Sequence, residues 1–216
     1  MFTQEWKLVT KEDKKIKRDI LIVLGNGFSI DLVKYLNLET KINLTNLFEK
    51  GDKVPWPSNN EPGFLSFRRC PALWQLGARP NINNHEASKI IEDIITCANV
   101  NAFSKENNGR YEEPSIYLRA YHELVIYLKY LFIYYNCILS DDILTKGKLK
   151  EWGWGKLFEN LNDNINISSV NVITYNYDIF LERVLRKLEI EYSVQGFEES
   201  MSKKIKIIKP HGSISF

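Results

Sequence analysis

Cysteine is scarce in this 216-residue chain: there are three, Cys70, Cys97 and Cys137, far apart and without a CxxC pair. That count and spacing exclude the common structural zinc modules. Three scattered thiols read as buried residues of a reducing compartment. Histidine is equally scarce, at three, and no HExxH or similar ligand spacing exists, so no metal is expected. Charge of one sign is missing too. Lys and Arg number 29 against 27 Asp and Glu, a net +2. The most basic stretch, Lys11 to Arg18, is mixed and reads as a solvated helix face. No direct contact with nucleic acid is expected. Long hydrophobic runs are absent as well. The most apolar stretch, Leu124 to Leu139, is interrupted by Lys129 and Asn136 and falls short of the ~20 residues a membrane span needs. It reads as a buried helix. Met1 to Lys17 has no apolar signal-peptide core. The expected location is therefore the cytoplasm, with no membrane partner. There is no GxSxG elbow for a serine nucleophile.

What is present suffices for one sizeable domain: 44% hydrophobic residues and 12% aromatics can build a core. Asp19 to Leu24 (DILIVL) reads as a central parallel strand covered on both faces. Gly25 and Gly27 break it, and helical spacing resumes over Ile30 to Leu36. Residues 40–80 carry Pro55, Pro57, Pro62, Pro71 and Pro80 with Gly51, Gly63 and Gly77 among them. Regular structure should be short there. Trp56, Phe64, Phe67 and Trp74 are too apolar for a disordered linker, so a packed, irregular excursion is expected, able to wall a site. Helices are expected over 86–98, 114–139 and 154–161, with Asn107-Asn108-Gly109 as a turn. The tyrosines Tyr117, Tyr121 and Tyr135 recur with leucines on one helical face and read as core and rim packing. His85 and His122 read as structural. Strand, helix, strand and strand then follow over 169–174, 177–188, 191–194 and 204–209. This alternation predicts an α/β chain with a parallel sheet. Residues 19–39 and 165–216 form the sheet portion, and 40–164 a mainly helical insertion in a single domain.

Three segments sit at strand ends, where parallel sheets bind ligands. Gly25-Asn26-Gly27-Phe28-Ser29 offers free N–H groups at a helix N-terminus, a place for a phosphate. Glycine there admits close approach and positive φ, and Ser29 offers a hydroxyl. A plain structural turn accounts for this segment equally well. Thr174-Tyr175-Asn176-Tyr177-Asp178 carries an amide able to grip a ribose hydroxyl, a carboxamide or a water. Its Asp178 could bind a ligand amide or stabilise a developing cation. Helix capping explains one of Asn176 and Asp178 but not both. Pro210-His211-Gly212-Ser213 places a histidine where it can act as a base, although a structural histidine remains open.

In this order the three segments resemble the sirtuin-like NAD-binding fold, and most nearly its zinc-free bacterial branch that hydrolyses NAD in anti-phage defence. The matching residues are Gly25, Asn26, Gly27, Phe28 and Ser29, then Asn176-Tyr177-Asp178, then His211-Gly212. The Asn-Tyr-Asp form continued by Ile179, Phe180, Leu181 and Glu182 is typical of the defence branch. The GNGF tetrad also resembles the AbiH-type abortive-infection family. The resemblance implies a Rossmann-like sheet, NAD as substrate and no metal. It implies Asn176, His211 and Asp178 as catalytic residues. It implies Gly25 to Ser29, Thr174, Gly212 and Ser213 as NAD-binding residues. Three cysteines cannot form the four-cysteine module of sirtuin deacylases, which favours NAD hydrolysis over deacylation. The alternative is a binding sensor or scaffold without turnover. A homo-oligomer or a regulatory subunit is the expected partner. The family sheet continues past its His-Gly pair, whereas Phe216 ends the chain five residues after His211, so either the sequence is a fragment or another subunit completes the site.

Overall fold

The computed structural model describes residues 17–105, 115–196 and 203–213. The Asn107–Gly109 turn and most of the Lys11–Arg18 stretch lie outside them. Four strands are present among the described residues: β1 (Arg18–Leu24), β2 (Ile167–Thr174), β3 (Tyr192–Val194) and β4 (Ile205–Ile208). Every pairing is parallel, and the spatial order is β1-β2-β4-β3. A parallel sheet with crossover helices is the α/β, Rossmann-like arrangement expected from the alternation of elements.

Helix α1 (Asn26–Tyr35) follows β1 with Gly25 as its N-cap. The helix thus starts within the glycine segment, four residues earlier than the periodicity implied. Between α1 and β2 come α2 (Pro71–Gln75), α3 (Asn84–Lys105), α4 (Ile116–Ile138), α5 (Lys146–Glu151) and α6 (Gly153–Asp163). Short helices α2 and α5 were not legible, since five or six residues carry too little periodicity. Helix α7 (Phe180–Lys187) links β2 to β3 and starts three residues later than expected.

One apolar cluster joins sheet and helices. Ile20, Ile22 and Leu24 of β1 meet it, as do Val170 and Val172 of β2 and Ile205 and Ile207 of β4. The opposite face of β1 differs from expectation: Leu21 is 63% exposed and Val23 61%, and β1 is an edge strand among those described. A continuous apolar run cannot by itself distinguish a strand covered on both faces from one covered on a single face.

Residues 40–70 hold no helix or strand, yet Leu44, Phe48, Val54, Phe64 and Leu65 are buried. Two α4 tyrosines fix this segment. Tyr127 donates to the Leu47 carbonyl at 2.6 Å and Tyr135 to the Asn43 carbonyl at 3.0 Å. Arg183 of α7 ties the sheet to the end of α4, donating to the Asn136 carbonyl at 2.7 Å and to Asp141 at 2.9 Å. Among the described residues no helix is long and apolar enough to cross a membrane. Cys70 is buried, but Cys97 is half-buried and Cys137 exposed, so the thiols do not share the buried setting expected of them.

Candidate functional site

The three motif segments converge because β1, β2 and β4 are neighbours and run in parallel. Their carboxyl ends therefore open on one edge of the sheet, the edge where such sheets hold ligands. The ladder continues past β2, where Tyr175 N–H donates to the Leu24 carbonyl at 3.2 Å. That bond sets Asn176 beside Gly25. The Asn176 amide donates from Nδ2 to the Gly25 carbonyl at 3.1 Å and to Ser29 Oγ at 2.9 Å. A carbonyl only accepts, so the amide orientation is determined. Both amide hydrogens are committed, and Oδ1 is the atom left to accept from a ligand.

Ser29 is buried, and its hydroxyl donates to Asp178 Oδ2 at 2.8 Å. It holds the site's own carboxylate. Asp178 Oδ1 accepts from the Phe180 N–H at 3.0 Å, an Asx-type turn that leads into α7, whose N-cap residue is Ile179. Burial pushes the Asp178 carboxyl above the usual carboxylate range, against the Phe180 and Ser29 hydrogen bonds and the nearby Lys209 charge. Thr174 Oγ1 accepts from Asn176 N–H at 3.2 Å and shapes the turn.

Asn26, Asn176 and Asp178 line a cavity of about 170 Å³ whose other walls are Leu44, Leu47, Phe132, Tyr175 and Tyr177. The irregular segment and α4 thus supply an apolar wall facing the polar strand ends. Asn26 anchors this wall, donating from Nδ2 to the Leu44 carbonyl at 2.9 Å. Phe28 is buried against Trp152, Trp154 and Phe158, at ring separations of 5.4, 5.5 and 6.5 Å. It belongs to the core beneath the turn. Gly25 and Gly27 are exposed, and a Cβ added to either would meet no atom within 4 Å. Gly25 is extended at φ −118°, and Gly27 is not among the residues with positive φ. Neither packing nor backbone conformation requires glycine at these two positions.

His211 sits exposed on a four-residue turn closed by Gly212 N–H donating to the Lys209 carbonyl at 3.1 Å. Pro210 occupies the second position of the turn, and Gly212 follows at φ +84°, which favours glycine. The imidazole meets the Tyr175 ring edge-on at 5.2 Å and the Tyr177 ring at 6.4 Å. It stands beside the two tyrosines that bracket Asn176, outside the cavity lining. Ser213 is buried, and its hydroxyl donates to the Tyr177 carbonyl at 3.5 Å.

Two residues at the site escaped sequence reasoning as contributors. Lys209 and Glu182 pair at 2.6 Å beneath the strand ends. The one available signal was a lysine closing an apolar strand directly before Pro-His-Gly. Among the described residues, no group of three or more His, Cys, Asp or Glu is placed to hold a metal ion.

No curated protein and no solved structure matches the chain significantly. Residues 170–216, from β2 through the His-Gly turn, match the family model of the SIR2-like domain. That stretch holds two of the three motif segments, and the match supports a sirtuin-like family, generally NAD-dependent enzymes, and an NAD-related function for this chain.

Proposed function

We propose that the chain is an NAD glycohydrolase, releasing nicotinamide and ADP-ribose. One observation carries the reading. Asn176 commits both amide hydrogens to the Gly25 carbonyl and Ser29, so it can only accept from whatever enters the cavity it lines. An acceptor suits a ribose hydroxyl or an attacking water. His211 takes the proton from that hydroxyl or water as general base. Water's oxygen bonds to the ribose C1′ as the C1′–nitrogen bond breaks, and its electron pair leaves with nicotinamide. Asp178 still has lone pairs beyond its two internal bonds. It holds the nicotinamide amide and stabilises the positive charge that develops at the ribose. The cavity is smaller than the ~300–1,000 Å³ of whole-ligand sites. It takes one end of the dinucleotide, and the pyrophosphate lies over Gly25 to Ser29, where missing side chains leave the backbone open. The resemblance of Asn176-Tyr177-Asp178 to the defence branch supports reading this activity as that of an NAD-depleting cytoplasmic effector in anti-phage defence. Such an activity must be held in check, by self-assembly or by a regulatory subunit.

The test is nicotinamide release from NAD by the purified protein, alone and with any partner. His211→Ala should lower the rate by about 10²–10⁴-fold, the usual contribution of a general base. Asn176→Ala should also abolish most turnover. Unchanged rates in both variants would sink the assignment. A second reading, an NAD or ADP-ribose sensor without turnover, is favoured by the place of His211 outside the cavity lining. Calorimetric binding of ADP-ribose with no NAD consumption would select it.

A further inference from the structure

Lys209 follows the last residue of β4, where a lysine would ordinarily reach solvent. Its side chain is instead 2% exposed. The ammonium donates to the Asp178 carbonyl at 2.6 Å, to Glu182 Oε1 at 2.6 Å and to Ser213 Oγ at 3.2 Å. A lysine has three ammonium hydrogens, and all three are committed. The partners lie in three places: the end of the Asn-x-Asp segment, the first turns of α7, and the residue after His-Gly. Glu182 is 12% exposed on its side chain, and its second oxygen has no hydrogen-bond partner among the described residues. Burying an ammonium is costly unless it is paired and fully hydrogen-bonded, so this arrangement holds only while all three partners stay in place.

His211 lies between Lys209 and Ser213, and the side chains of both flanks meet at this one ammonium. The same ammonium binds the carbonyl two residues after Asn176. We propose that Lys209, with Glu182 as counter-ion, is a positioning residue that sets where the His211 ring stands relative to Asn176. It acts through the backbone of the two loops and touches neither the substrate nor the reacting atoms. The proposal rests on the reading of His211 as the base.

The double variant Lys209→Met/Glu182→Gln removes both charges while keeping most of the side-chain volume, and Lys209→Arg keeps the charge. The full chain is followed for NAD turnover and, by NMR, for the nuclear Overhauser contact between the His211 and Tyr175 rings. The double variant should melt cooperatively, lose about 100-fold in kcat with KM little changed, and lose the ring contact. Lys209→Arg should restore part of both. Wild-type kcat in the double variant, or an intact ring contact, overturns the proposal. If the unaltered protein releases no nicotinamide, the hydrolase reading fails, and the ring contact alone decides: its loss supports the clasp and its survival refutes it. Should the double variant not fold, Glu182→Gln is read by the same two measurements with the same outcomes.

Discussion

At the scale of single residues, Gly25 and Gly27 stand out for what does not explain them. Neither has a neighbour that a Cβ would strike, and neither sits at positive φ. Gly27 lies in the first turn of α1, where alanine would hold the helix better by up to about 1 kcal/mol. A stability cost without a structural return is the mark of a place where a ligand approaches the backbone. Gly27→Ala should therefore leave the melting temperature unchanged or higher while NAD turnover falls. A variant that is both more stable and fully active would mean that nothing approaches this turn. Gly155 is the converse case: its added Cβ would lie 1.8 Å from the Leu149 carbonyl oxygen, so the close contact of α5 with α6 alone demands glycine.

At the scale of elements, α4 determines the shape of the site although it bears none of the motifs. Its buried face includes Leu124, Tyr127, Leu131, Phe132 and Tyr135, and Phe132 reaches the cavity. Tyr117, Tyr121 and Tyr135, which the periodicity assigned to packing, do pack. Tyr135 also holds a backbone carbonyl of the irregular segment, as does Tyr127, which the periodicity did not single out. Tyr127→Phe leaves the carbonyl of Leu47, a residue of the cavity wall, without its 2.6 Å donor. The expected loss is about 1–3 kcal/mol, the usual cost of orphaning a buried polar group. Urea unfolding measures it. A change near zero would mean that water reaches this carbonyl freely.

At the scale of the whole molecule, the buried Asp178 makes stability depend on pH. Its folded-state pKa is raised, chiefly by burial, so between the unfolded and folded values the native state holds more protons than the unfolded one. Stability from this group therefore falls as pH rises from about 4 through its raised folded value, and is flat above it. Asp178→Asn should gain on the unaltered protein over that window and hold a constant difference at higher pH. Denaturation curves from pH 4 to 8 check the sign, and a variant that loses ground on the unaltered protein as pH rises would contradict it. On the same scale, the exposed face of β1 with Leu21 and Val23 departs from the two-sided cover typical of parallel sheets.

Much of this was legible in the chain, and the divide follows sequence distance. Strand, turn and helix are made by neighbours. DILIVL before Gly25, SVNVIT before Tyr175 and KIKII before Lys209 therefore foretold three strands with polar ends, and their alternation with helices foretold a parallel sheet. By itself the sequence determined which residues stand at strand ends. Only the tertiary structure decided what they do there. Ser29 and Asp178 are 149 residues apart, and no local pattern shows that the serine hydroxyl serves the carboxylate. Strand order put β1, β2 and β4 side by side, and that order arises from long-range pairing. The burial of Lys209 was hidden for the same reason: an exposed lysine and a clasped one look alike in sequence. What separates them is whether three distant acceptors surround the ammonium in a space closed to water.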